Sequence, residues 1–77
     1  MQINVKLYGS LRDYLPKELR GKTSLELSSN AVVQDVLDML KIEQPVIVAI
    51  NEEQDSDNST QLQAGDTLTL FELAAGG

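Results

Sequence analysis

The sequence predicts an α+β fold: one mixed sheet of about four to five strands, with one main amphipathic helix covering a face of it. Three observations carry this. The stretches "QINVKLYG" near the start and "TLTLFEL" near the end alternate apolar and polar residues, the period of a half-buried strand. Between them Val33, Val36, Leu37 and Leu40 recur at i, i+3, i+4 and i+7, one face of a helix. The length, 77 residues, makes residues 1–77 a single domain.

The elements follow in order. In the first strand Ile3, Val5 and Leu7 share one face, and Gln2, Asn4, Lys6 and Tyr8 the other. Gly9 and Ser10 punctuate it. "SLRDYLP" is compatible with a short helical turn, capped by Ser10, with Leu11 and Leu15 on one side and Pro16 ending it. "TSLELSS" alternates again with Leu25 and Leu27 inward; short and polar, it suits a sheet edge. Asn30 is available to cap the helix. Asp35 suits the helix's first turn and Lys41 its last, by the helix dipole, and Pro45 prevents continuation. "VIVAI", Val46 to Ile50, is a continuous apolar run and reads as a strand buried on both faces or nearly so. Residues 51–61, "NEEQDSDNSTQ", are polar and form a surface loop with room for a short strand. "AGD" is a turn, and Leu68 and Leu70 face inward from the last strand. After Leu73 the pattern stops. A right-handed strand–helix–strand connection favours a β-grasp arrangement with the first and last strands central and parallel, which pattern alone leaves as one option among several.

Composition excludes much chemistry. The chain has no Cys and no His. It therefore has no thiolate nucleophile, no imidazole base and no Cys/His zinc site. With twelve acidic and six basic residues the net charge is −6, which disfavours phosphate backbones and anionic lipid surfaces. A protein partner offering a basic surface is expected, and neither nucleic acid nor membrane. "MQINVKLYG" lacks the regions of a signal peptide, and no apolar run approaches the roughly 20 residues of a membrane span, so a cytoplasmic location is expected.

Few side chains suggest a site. "DSDNST" alternates Asp55, Asp57 and Ser59 as a calcium loop does, but Thr60 stands where an EF-hand needs Gly and Asp66 where it needs Glu. A solvated loop is the better reading. Asn58-Ser59-Thr60 is a glycosylation sequon only if the chain is secreted. Glu52 and Glu53 carry no sign of the burial that a general acid needs. Arg12 and Asp13 are positioned to pair with one another, or with Lys17 and Glu18, at the surface.

The terminal "GG" is harder to dismiss, since two glycines fall at a given pair of positions about 0.5% of the time by chance. Leu73 to Gly77 extend at most about 15 Å beyond the sheet. Ala74, Ala75, Gly76 and Gly77 make an arm thin enough for a narrow tunnel, ending in a carboxylate. A frayed tail is the plain alternative. A carboxylate is a poor electrophile until it is joined to AMP, when a thiol, persulfide or amine can attack. Bare glycine leaves that carbonyl sterically open.

Taken together, "VKLYGSLRDYL", "VIVAINEEQ", "LQAGDTLTLF" and the final "GG" resemble, in order and spacing, the MoaD/ThiS family of ubiquitin-like sulfur carriers. The likeness covers nearly the whole chain and is nearest the MoaD branch, the small subunit of molybdopterin synthase. It implies a β-grasp fold and a carrier rather than an enzyme, with no catalytic residues of its own, no metal and no bound cofactor. It also implies that an E1-like adenylating enzyme uses ATP to activate Gly77, that a sulfur donor makes the thiocarboxylate, and that a MoaE-type large synthase subunit receives the tail. Ala75 and Gly76 belong to that tail, and Tyr8, Phe71 and Leu73 to the partner-binding surface. Ordinary packing at a sheet edge is the alternative for the aromatics. MoaD proteins commonly carry Pro-Pro-Val before the diglycine; here Glu72-Leu73-Ala74 stands there. A carrier for thiamine or another product, a modifier joined to lysines through Gly77, and a plain interaction domain therefore remain open.

Overall fold

A computed structural model describes residues 1–73 of the chain. Its strands are β1 (Gln2–Leu7), β2 (Lys22–Glu26), β3 (Val46–Ile50), β4 (Glu53–Ser56) and β5 (Thr67–Glu72), with one helix, α1 (Val33–Leu40). Two 3₁₀ turns, Gly9–Tyr14 and Lys17–Leu19, join β1 to β2. The sheet runs β2-β1-β5-β3-β4, with β1 and β5 parallel and the other pairings antiparallel. This is the β-grasp, with the first and last strands at the centre and β2 at an edge, as the pattern favours. The fifth strand, β4, lies within the polar segment. It joins β3 through Asn51 and Glu52, both at positive φ (51° and 75°), the two-residue turn that matches hairpin twist.

The core follows from the period of two. Ile3, Val5 and Leu7 of β1 and Leu68 and Leu70 of β5 are buried on one face, against Val33, Val36 and Leu37 of α1. Each such side chain contributes about 1.5–3 kcal/mol by leaving water. An eight-residue helix is marginal on its own, so α1 depends on this apolar face. Leu11 and Leu62, from the connecting segments, are buried in the same core.

Four local expectations are corrected. The N-cap of α1 is Val32, not Asn30: Asp35 accepts a hydrogen bond from the Val32 N–H at 2.8 Å, so the acid expected to favour the first turn does so as a direct cap. Lys41 is not in the last turn but follows it, at φ 61°, donating its N–H back to Leu37 and Asp38. The turn after β1 is 3₁₀, with Tyr8 at its N-cap, and the Ser10 hydroxyl reaches across to the Glu72 carboxylate instead. Finally, β3 is buried on both faces only in part. Val48 is in the core and Ala49 is buried on the opposite face, but Ile47 on that same face is 38% exposed, because the single helix covers only one side of the sheet. Among the described residues no helix is long and apolar enough to cross a membrane.

Candidate functional site

Because β1 and β5 are parallel, their C-terminal ends emerge at the same edge of the domain. Asn4 pairs with Thr67 and Leu7 with Leu70. Carried one residue further, that register sets Tyr8 beside Phe71, and the Tyr8 N–H donates to the Leu70 carbonyl at 3.1 Å. Both aromatic side chains are out of phase with the buried Leu7 and Leu70, so they stand on the face the helix leaves uncovered. Their rings stack, with centroids 5.1 Å apart and planes 12° from parallel.

The stack belongs to a larger surface. Ile47 of β3 pairs with Phe71. Lys6, Thr67, Thr69 and Glu52 line the same shallow concavity as the two aromatics, about 500 Å³ in volume. Tyr8 is 46% exposed and Leu73, just past the end of β5, is 47% exposed, so three of the sequence-predicted binding residues gather where the last strand ends. At that point the Glu72 carboxylate accepts a hydrogen bond from Ser10, and Gly9 packs against it, where a Cβ would lie 3.4 Å from Glu72 Oε1. The first 3₁₀ turn thus braces the root of the arm. Ala75, Gly76 and Gly77 lie outside the described residues.

The other candidates do not gather into a site. Asp57 is fully exposed. Its carboxylate accepts hydrogen bonds from the backbone and hydroxyl of Ser59 and from Thr60, and those from Ser59 chiefly hold its pKa below the ordinary 3.8. Those bonds close the loop upon itself. The Asp55 side chain lies outside the described ones, and among the described residues no cluster of three potential metal ligands occurs. Arg12 and Lys17 form no ion pair with Asp13 or Glu18; the ion pair found among the described residues joins the N-terminus to Glu26 at 3.9 Å. The outer face presents aromatic and threonine side chains, with the opposite charges of Lys6 and Glu52 among them.

Sequence reasoning singled out Tyr8, Phe71 and Leu73 as a partner surface but gave no sign of the Tyr8–Phe71 stack. The 63-residue offset of the parallel register decides it, and no local pattern encodes that number. It also missed Gly21, where φ is +79° and an added Cβ would lie 2.6 Å from the Leu7 carbonyl oxygen.

The fold is similar to that of several solved proteins. SAMP1 from Haloferax volcanii superposes with a TM-score of 0.75 at 22% identity, over 100% of both chains. A protein described as molybdopterin converting factor subunit 1 from Pyrococcus furiosus gives 0.72 at 20%, over 94% of this chain and 97% of that one. A chain from the complex of subunits 1 and 2 of the molybdopterin-converting factor of Helicobacter pylori gives 0.64 at 15%, over 100% of both. At these identities the likeness establishes the ubiquitin-like fold. No curated protein matches the sequence. A family model does, from Val5 in β1 through the final diglycine, over residues 5–77: the chain belongs to the ThiS family.

Proposed function

We propose that this chain is a sulfur carrier working through the carboxylate of Gly77, in the synthesis of molybdopterin. The observation that carries the reading is the family match extending through Gly76 and Gly77. It is supported by an exposed aromatic surface at the root of the arm that bears them. The chemistry proceeds in two exchanges. The Gly77 carboxylate attacks the α-phosphorus of ATP in an E1-like enzyme, forming the acyl adenylate and releasing pyrophosphate. A persulfide sulfur then attacks the glycyl carbon and AMP leaves. Reductive cleavage of the sulfur–sulfur bond, by a thiol of the sulfur-supplying protein, leaves the thiocarboxylate. The chain brings no thiol or imidazole to these steps. Its own residues dock through the outer face and hold the arm's root, with Ser10 and Gly9 against Glu72. A MoaE-type large subunit then takes the arm; as the sulfur passes to the pterin precursor, water cleaves the glycyl carbon–sulfur bond and returns Gly77 to its carboxylate.

Incubation with an E1-like enzyme, ATP and a sulfur donor tests this directly. The protein should gain the mass of one oxygen-to-sulfur exchange, mapped to its C-terminal peptide. A thiol-specific alkylating reagent should then label a protein that has no cysteine. Persistence of the unmodified carboxylate with every donor would refute the carrier role.

A second reading, a protein modifier, is favoured by the likeness to SAMP1, of which another structure is described as small archaeal modifier protein 1. It uses the same adenylate, with a lysine amine in place of sulfur. Gly77 found in isopeptide bonds to other proteins, with no thiocarboxylate, would select it. Thiamine or another sulfur-containing product as final acceptor would leave the carrier chemistry unchanged.

A further inference from the structure

The charges of this chain are strongly segregated. Residues 1–22 hold five of the six cations (Lys6, Arg12, Lys17, Arg20 and Lys22) and only two acids, Asp13 and Glu18. The remaining residues hold one cation, Lys41, and ten acids. The fold keeps most of this separation, because β1, β2 and the two 3₁₀ turns between them form one side of the sheet and the β3–β4 hairpin the other, with Glu26 at the end of β2 and Glu72 against Ser10 as the later acids on the basic side. Within the basic side, Arg12, Lys17 and Arg20 converge on a shallow concavity of about 470 Å³, with Asp13 its one acid. In a protein with twice as many acids as bases, none of these three cations is ion-paired among the described residues.

The concavity is built. Arg12 Nε donates to the Gly9 carbonyl at 3.3 Å, which leaves the outer guanidinium nitrogens for another partner. The Arg12 stem lies over Gly21, where a Cβ would come within 2.7 Å of its Cγ. Arg20 holds a left-handed conformation, φ 54°, at the turn into Gly21. The basin also lies at the end of the domain where β5 finishes, since the Leu7 N–H donates to the Gly21 carbonyl and Gly9 packs against Glu72.

We propose that this basin is a docking site for an acidic segment of a protein partner, one that engages the domain from the end where the C-terminal arm begins. Charge complementarity selects the occupant. A carboxylate-bearing segment can satisfy Arg12, Lys17 and Arg20 locally. A long polyanion such as a nucleic acid would run beyond the basin, and within a Debye length of roughly 8–10 Å would meet the acidic remainder of the domain. The site would register a partner against the root of the arm. It does so whether the arm carries sulfur or is joined to lysines, and so does not rest on the carrier reading.

Titration of the ¹⁵N-labelled full chain with a synthetic hexaglutamate peptide tests the proposal without ATP or any activating enzyme. Amide shifts should concentrate at Gly9, Arg12, Lys17, Arg20 and Gly21. The Lys17→Gln/Arg20→Gln double variant, both positions being exposed, should keep its circular dichroism and bind about five- to tenfold more weakly, as expected from removing two exposed charge pairs. Lys17→Arg/Arg20→Lys should retain binding. Absence of shifts, shifts of equal size at Lys6, Lys22 and Lys41, or equal binding by inorganic phosphate or a 20-nucleotide poly-dT strand would each overturn it. A failure here would leave the thiocarboxylate assay unaffected, so the two readings fail separately.

Discussion

Replacing Phe71 with Ala separates recognition from folding at the outer face. Phe71 is half-buried on the face the helix does not cover, so only part of the roughly 1.5–3 kcal/mol for a fully buried side chain is at stake, about 1 kcal/mol. The stack on Tyr8, at 5.1 Å and 12°, contributes about 0.5–1.5 kcal/mol more. The expected loss of stability is therefore about 2 kcal/mol, a fall in Tm of roughly 10 °C for a domain of this size. The adjacent Leu70 is fully buried, and Leu70→Ala should cost more, about 2–5 kcal/mol. Urea unfolding followed by circular dichroism measures both. A double-mutant cycle with Tyr8→Ala should return a coupling of about 0.5–1.5 kcal/mol. Binding to an E1-like enzyme or to a large synthase subunit, measured by calorimetry, should weaken by about 30-fold or more if Phe71 is an anchor. A stability loss equal to that of Leu70→Ala, or unchanged binding in a folded Phe71→Ala variant, would refute the argument that this face serves recognition.

The other predictions are simpler. Gly21→Ala should destabilise well beyond Gly65→Ala: both positions have φ near +80°, but the new methyl meets the Leu7 carbonyl at one and open space at the other, where backbone strain of about 1 kcal/mol is the whole cost. Equal unfolding midpoints would show that the turn relaxes. Deleting Gly76 and Gly77 should leave the unfolding midpoint nearly unchanged and abolish adenylation, read as ATP–pyrophosphate exchange. Asp57 should titrate below 3.8 by NMR, its hydrogen bonds from Ser59 favouring the charged form. Since its folded pKa is the lower one, the stabilisation is complete above the unfolded value and is lost as pH falls from there through the folded pKa. Ser59→Ala should raise that pKa.

What the sequence made legible was whatever depends on one element at a time. The inward faces of β1 and β5 follow from alternation, and the apolar face of α1 from its 3.6-residue period, because burial on one side of an element imprints its own period. The exposure of Ile47 escaped this logic. "VIVAI" is apolar throughout, so its composition says nothing about how many faces are covered, and only the count of helices does. The α1 cap was misplaced because Asn30 is a good capping residue by type, while the geometry lets Asp35 reach back to Val32. Gly21 is informative only once Leu7 and Arg12 are known to lie against it. The candidate site divides in the same way. The aromatics and the diglycine are visible in the chain, whereas the stack exists only because distant segments meet, and the basin only where residues 9–21 fold back on themselves beside the end of β5.

Those meetings share one cause. A parallel pairing of the first and last strands places the end of β1 and the end of β5 side by side. The residues just after β1 then gather at the end of β5: Tyr8 stacks on Phe71, Gly9 and Ser10 hold Glu72, and Arg12 leads into the basin. An arm of small residues specifies little by itself, because glycine and alanine offer almost no side-chain surface to recognise. On the proposed reading the domain therefore supplies the specificity at the arm's base. A partner that grips the aromatic face and the basin needs only the correct reach to bring its reactive centre to Gly77. On the same argument, extending the arm by one residue should leave docking intact while displacing the carboxylate by about 3.5 Å. Transfer would then fail although binding does not.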